Sequence, residues 1–183
     1  MALSINKDSI WEEQIVYEDN HILIINKMPS ELVQGDKTGD MPLSEKIKNY
    51  LKIRENKPGN VFCGVIHRLD RPVSGLVIFA KTSKALSRFN ELFREKDIQK
   101  SYLAVVKNRP PKEKDTLVHY LLKNEKTNTS KAFVKPVTHA LKASLDYELM
   151  ASSDNYHLLK INLHTGRHHQ IRSQLSDIGS PIK

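Results

Sequence analysis

Three short stretches of this chain carry residues that a packed core does not call for. The first, His67-Arg68-Leu69-Asp70-Arg71-Pro72-Val73-Ser74-Gly75, sets ionisable groups between two apolar runs, VFCGVI and LVIFAK. Pro72 and Gly75 shape it as a loop, and loops on rigid elements are where sites are usually built. Asp70 stands between Arg68 and Arg71, and nearby positive charge favours the ionised carboxylate. An ionised carboxylate can act as nucleophile or base. The same pattern also suits an Asp70 that only organises a turn or pairs with an arginine on the surface.

The second stretch, Leu163-His164-Thr165-Gly166-Arg167-His168-His169-Gln170-Ile171-Arg172, runs from strand through a Thr-Gly turn into a helix start. Such a turn exposes backbone N–H groups suited to an anion, and Arg167 and Arg172 add phosphate-matching donors. Its alternative is a basic helix terminus that faces water. A zinc site from His164, His168 and His169 is weighed against this, but a Gly turn separates the first from the others and no cysteine or acidic ligand is near in sequence. The third stretch is Gln99-Lys100-Ser101-Tyr102-Leu103. On a strand, Lys100 and Tyr102 share a side, so a cation and an aromatic face lie together. That suits an unstacked base, although a half-buried strand tyrosine is the commoner reason for such a pattern.

The elements that must position these groups are legible from periodicity. IVYEDNHILIINK reads as two strands around an Asp19-Asn20 turn. Pro42 followed by Leu43, Ile47 and Leu51 predicts a helix, and VFCGVIH and LVIFAK predict strands flanking the Asp70 loop. Thr82 or Ser83 caps a helix to about Lys96 with Leu86, Phe89, Leu92 and Phe93 inward. SYLAVVK, TLVHYLL, SLDYELMA and YHLLKINLH follow as strands, with AFVKPV a weaker one. In the last full strand Leu158, Lys160, Asn162 and His164 share one face and Leu159, Ile161 and Leu163 the other. HHQIRSQLSDIG closes as a short helix ending at Gly179. The expected class is α+β, a mixed and largely antiparallel central sheet with a few flanking helices.

A chain of 183 residues suits a single domain, and 39% hydrophobic with 27% charged residues is an ordinary globular balance. No apolar run approaches the roughly 20 residues that span a bilayer. The opening MALSINKDSIWEEQ lacks the form of a secretory signal, so a cytoplasmic address is expected. Cys63 is the one cysteine, which leaves no disulfide, thiolate zinc cluster or CxxC pair, and its apolar setting predicts a buried thiol. GxGxxG and Walker A patterns are absent, so no nucleotide cofactor is expected. The formal charge of +8 favours polyanionic partners. The tract Lys107 to Lys114 reads either as phosphate contacts or as a solvated loop. The stop at GSPIK predicts that the domain is incomplete at its C-terminus.

Taken in order, the three stretches resemble the RluA-type family of RNA pseudouridine synthases. HRLDRPVSGLVIFAK is similar to that family's HRLD signature and the apolar strand after it, KSYLAVV to its Lys-x-Tyr strand, and HTGRHHQIR to its T-G-R-x-H-Q-I-R segment. VYEDNHILIINKMPSELV looks like its first strand pair. Val73 stands where the family often has Thr, His168 replaces a common Thr or Ser, and Met28 holds the place of a proline after Lys27. The resemblance implies a single catalytic domain over residues 1–183 that acts on RNA (rRNA or tRNA) with no cofactor or metal; a monomer away from the membrane is the simplest expectation beside it. It implies that Asp70 is the catalytic aspartate, that Tyr102 stacks on uracil, and that Arg172 pairs with the aspartate. Arg68 would displace the target base, Ile171 would form an apolar wall, and His67, Lys100, Arg167 and Gln170 would complete the substrate contacts. A domain that binds RNA without catalysis and a histidine-based metallohydrolase are the competing readings.

Overall fold

The computed structural model describes Ile10 and residues 12–183; the opening segment read above lies mostly outside them. The chain divides into two compact units, Met1–Glu95 and Lys96–Lys183.

In the N-terminal unit, β1 (Ile15–Glu18), β2 (Ile22–Lys27), β3 (Gly64–Val65) and β4 (Gly75–Ala80) form one sheet in the order β1-β2-β4-β3, with every pairing antiparallel. Asp19 makes the β1–β2 turn, its carboxylate accepting the N–H groups of His21 and Ile22 at 2.7 Å. Period-two alternation puts Leu23, Ile25, Val77 and Phe79 on one face, where Leu43, Ile47 and Leu51 of α1 (Leu43–Arg54) close the core. Pro42 stands at the N-cap of that helix. Thr82 caps α2 (Ser83–Glu95) by accepting the Ala85 N–H at 3.1 Å. None of the α2 stripe expected to face inward is fully buried: Leu86, Phe89 and Phe93 are half-buried and Leu92 remains 37% exposed, while the one buried residue of the helix is Ala85.

The C-terminal unit is a five-stranded antiparallel sheet in the order β5-β9-β8-β6-β7, from β5 (Lys100–Val106), β6 (Lys114–Asn124), β7 (Thr129–Phe133), β8 (Leu141–Ser152) and β9 (His157–Leu163). Leu175 of α3 (Gln170–Asp177) packs on an inner face made by Ala104, Val106, Leu117, Leu145, Leu159 and Ile161. At the far end of α3 the Ser180 N–H bonds Leu175 O and the Gly179 N–H bonds Ser176 O, with Gly179 at φ 81°. The α+β class holds, with the strands shared between two antiparallel sheets in place of one central sheet. The strand expected over VFCGVIH shrinks to Gly64–Val65, because the His67 side chain takes a neighbouring β4 donor. Cys63 is half-buried where a buried thiol was expected, and burial pushes the thiol up to about 12.

Candidate active site

The loop that carries Asp70 is built from beneath. On β2 the alternation that buries Leu23 and Ile25 also buries Lys27, whose side chain has no exposed surface. Its Nζ donates to the carbonyl oxygens of Met28 (3.0 Å), Arg71 (3.0 Å) and Val73. The Ser30 N–H adds a bond to Arg71 O at 2.8 Å, and the Val73 N–H closes a turn on Asp70 O at 3.0 Å. Backbone oxygens at 71 and 73 are therefore held from inside and that at 70 by the loop's own turn, while the side chains of Arg68 and Asp70 face solvent. Burial draws the Lys27 ammonium below the ordinary lysine range, and the carboxylates of Glu31 and Asp70 act against that. A buried charge persists only when it is paired or fully hydrogen-bonded, and three carbonyls meet that need here. Gly75, at φ 135° opposite Lys27, starts β4 in a conformation that L side chains rarely adopt.

Two neighbours of Asp70 are engaged within the same unit. The Ile78 N–H donates to His67 Nε2 at 3.1 Å, and the imidazole lies 5.2 Å from the Phe93 ring. The ring thus takes a β4 donor that a longer β3 would have met, which is why the strand stops at Val65. Arg71 pairs with Asp40 at 2.7 Å on the surface.

In the C-terminal unit Lys100 and Tyr102 share one side of β5, as their spacing required. Burial lowers the Lys100 pKa from the ordinary lysine value. A Cβ on Gly166 would come 3.3 Å from Lys100 Nζ, so the turn passes close to the end of the lysine. Tyr102 and Ile171 both border the apolar cluster around Leu159 and Ile161. Arg172 is exposed on α3, and Arg167 is exposed with its Nε donating to Lys142 O at 3.1 Å. Gln170 is buried: its Oε1 accepts from Thr165 Oγ1 (2.8 Å) and the Arg167 N–H (3.0 Å), and its Nε2 donates to Ser144 O (3.0 Å). The turn expected to offer free N–H groups therefore spends those of Arg167 and Gln170 on itself, the second on Arg167 O.

Residues 21–177 match the family described as RNA pseudouridylate synthase. The chain belongs to that family. It is 30% identical over its whole length to a ribosomal large subunit pseudouridine synthase C of Pasteurella multocida, covering 54% of that protein. It is 31% identical to that of Haemophilus ducreyi, again over all of this chain and 55% of the other. For that of Buchnera aphidicola from Acyrthosiphon pisum the identity is 35%, over 92% of this chain and 52% of the relative. The chain thus spans about half the length of the curated relatives it matches. Among solved structures, human RNA Pseudouridylate Synthase Domain Containing 4 shares the fold at a TM-score of 0.78 and 20% identity, over 93% of this chain and 66% of that one. Human RNA Pseudouridylate Synthase Domain Containing 1 does so at 0.74 and 22%, over 92% and 66%.

His164, His168 and His169 are each engaged in contacts of another kind. His164 Nε2 lies 2.7 Å from Asp146, an acidic neighbour that distance in sequence concealed. Asp146 is held below the usual carboxylate range, first by the Thr116 hydroxyl and then by His164. His168 Nδ1 meets Ser130 Oγ at 2.9 Å, and the His168 and His169 rings stack at 3.8 Å. Among the described residues no group of three or more His, Cys, Asp or Glu is placed to hold a metal. No helix there is long and apolar enough to cross a membrane.

Sequence reading missed two supporting groups. Lys27 had a signal, since it continues the Leu23–Ile25 alternation onto the buried face. Beneath α3, Gln174 is wholly buried and donates to Leu117 O (3.2 Å) and His119 Nδ1 (3.0 Å), while His119 Nε2 meets Asp177 at 3.0 Å. No local pattern around His119 announces that partner, 55 residues away.

Proposed function

We propose that this protein isomerises uridine to pseudouridine within RNA, with large-subunit ribosomal RNA the first substrate to test and transfer RNA the second. The observation that carries the proposal is an exposed Asp70 on a loop whose backbone is fixed by the buried Lys27. Membership of the family and the names of the relatives support the same reaction. Asp70 acts covalently, at the ribose or at C6 of the uracil. The N1–C1′ bond breaks, the base turns, and C5 bonds to C1′. The proton leaving C5 is balanced by the one gained at N1, so the reaction consumes no oxidant, reductant or cofactor. Uridine must leave its stack first, at a cost of a few kcal/mol that contacts elsewhere on the RNA can supply.

Tyr102 stacks on the uracil, Arg172 supplies positive charge for the carboxylate chemistry, and Arg68 takes the space of the displaced base. Lys100 and Arg167 meet phosphate, and Ile171 is an apolar wall. His67 and Gln170 serve the substrate by holding the backbone that presents these groups. The protein works as a single catalytic domain, a cytoplasmic monomer without metal. The test is pseudouridine formation in uridine-labelled ribosomal and transfer RNA transcripts, with Asp70→Ala alongside. Product from the wild type alone supports the reading. RNA that binds yet yields no product with either protein would leave a binding module in its place.

A further inference from the structure

Lys27 and Ser30 hold the Asp70 loop, but what holds them is the turn that joins them, Lys27-Met28-Pro29-Ser30-Glu31. That turn is under strain. Ser30 has φ 72°, a left-handed conformation that a residue with a Cβ adopts only when its surroundings enforce it. The turn's own backbone supplies one long bond, Glu31 N–H to Met28 O at 3.4 Å.

The Glu31 side chain supplies the rest. Its side chain is only 16% exposed. Oε2 accepts the Met28 N–H at 2.9 Å, closing the turn from the other side, and also accepts Gln14 Nε2 at 2.8 Å. Gln14 is itself buried and donates in addition to Asn26 O at 3.4 Å. Oε1 lies 3.5 Å from Lys46 Nζ on α1. One carboxylate thus ties the turn to the segment before β1 and to the helix behind it. Its charge also opposes the loss of the proton from Lys27. A proline in place of Met28 would bring no N–H to satisfy, so the use of Glu31 is coupled to the residue this chain has there.

We propose that Glu31 is a positioning residue for the Asp70 loop, clamping the strained Lys27–Glu31 turn from which that loop hangs. It touches no reacting atom and acts through Lys27 and Ser30. The inference rests on Asp70 being the catalytic carboxylate, so the experiment carries one measurement that needs no activity.

Four proteins are compared: wild type, Glu31→Ala, Glu31→Gln and Ser30→Gly/Glu31→Ala. Each is assayed for kcat and KM on the RNA substrate and for amide hydrogen exchange at Ser30 and Val73, whose N–H groups bond Arg71 O and Asp70 O. Glu31→Ala should lower kcat about tenfold with KM within about twofold, and should speed exchange at both amides about tenfold, the scale of one missing hydrogen bond to a charged group. Glu31→Gln retains an acceptor oxygen and should stay within about threefold on both counts. Glycine adopts φ 72° without strain, so Ser30→Gly/Glu31→Ala should recover most of the activity and protection. Wild-type kcat and exchange in Glu31→Ala would overturn the proposal. So would a failure to fold, or faster exchange spread evenly over β2 and β4, that Ser30→Gly does not relieve, for Glu31 would then serve general stability. A protein that makes no pseudouridine in any form, yet shows the expected pattern of exchange, would sink the assigned reaction and leave the clamp standing.

Discussion

The two units solve the same problem, holding a polar segment at a surface, with opposite electrical means. Met1–Glu95 has 14 Lys and Arg against 13 Asp and Glu, a net of +1, whereas Lys96–Lys183 has 15 against 8 and carries +7 of the chain's +8. In the first, the displayed group is a carboxylate, Asp70, and the anchor beneath its loop is a buried cation, Lys27. In the second, the displayed groups are cations, Arg167 and Arg172, and the anchors are the neutral amides Gln170 and Gln174. A charge under the loop complements the group on show and needs full hydrogen bonding to persist. A neutral amide ties a turn without offsetting the positive surface that attracts a polyanion.

The sharpest break in that comparison is at the displayed carboxylate. Asp70→Ala should lower pseudouridine formation by at least about a thousandfold while RNA affinity stays within about threefold, as the covalent role proposed for it requires; filter binding and product analysis separate the two.

Removing the buried anchor comes next. Lys27→Met strips the donor from three carbonyls and should cost on the order of 3 kcal/mol in urea unfolding and about a hundredfold in turnover. The wild type should show the same dependence through pH. A neutral amine has two N–H donors for three carbonyls, so turnover should fall as pH rises into the lowered titration range of Lys27, beneath the ordinary lysine value. Stability should move the other way. With the folded pKa below the unfolded one, the unfolded chain binds more protons in that window, so this group adds stability as pH rises. A turnover profile flat up to the ordinary lysine range would contradict the anchor's role.

On the other unit, Gln170→Ala frees the Thr165 hydroxyl and the Arg167 N–H and should lower turnover about tenfold, read as kcat against KM. Lys131 on β7 and Lys142 on β8 are exposed cations of the same basic unit, and Lys131→Gln with Lys142→Gln should weaken RNA binding by a few fold and flatten the plot of log affinity against log salt by about 0.7–0.9 for each phosphate no longer neutralised. Lys52→Gln, on α1 in the near-neutral unit, should leave that slope in place. The smallest effect belongs to Ser101→Ala, which removes an exposed 2.7 Å bond to Asn162 and should change stability by less than about 0.5 kcal/mol in thermal unfolding.

The sequence was most readable where one periodicity decided the outcome. Leu159 and Ile161 are buried and Lys160 and Asn162 exposed on β9, as alternation predicts. The helix from Leu43 appears with Ile47 and Leu51 buried. Legibility failed where a side chain competes with backbone for a ladder position: His67 takes the Ile78 N–H, and no pattern in VFCGVIH foretells it. It failed again in loops, where parity does not separate outward from inward residues. Gln170 sits within HTGRHHQIR like a ligand-facing amide, but its oxygen is spent on the turn. The weak apolar coverage of α2 was hidden too, since a stripe such as Leu86, Phe89, Leu92 and Phe93 says which side is apolar and not how fully it is covered.

Lys27 has one more consequence, and it concerns time. Its register partner across the ladder is Gly75, two residues beyond the Val73 carbonyl that it holds. The ammonium therefore gives up its water in the same event that pairs the end of β2 with the start of β4, because that pairing delivers the carbonyls replacing the water. Before then the loop has nothing to fasten to. Fraying at this end of the sheet hydrates the charge again and slackens the loop together with it, so the hold on the Asp70 loop follows the opening and closing of a few ladder bonds.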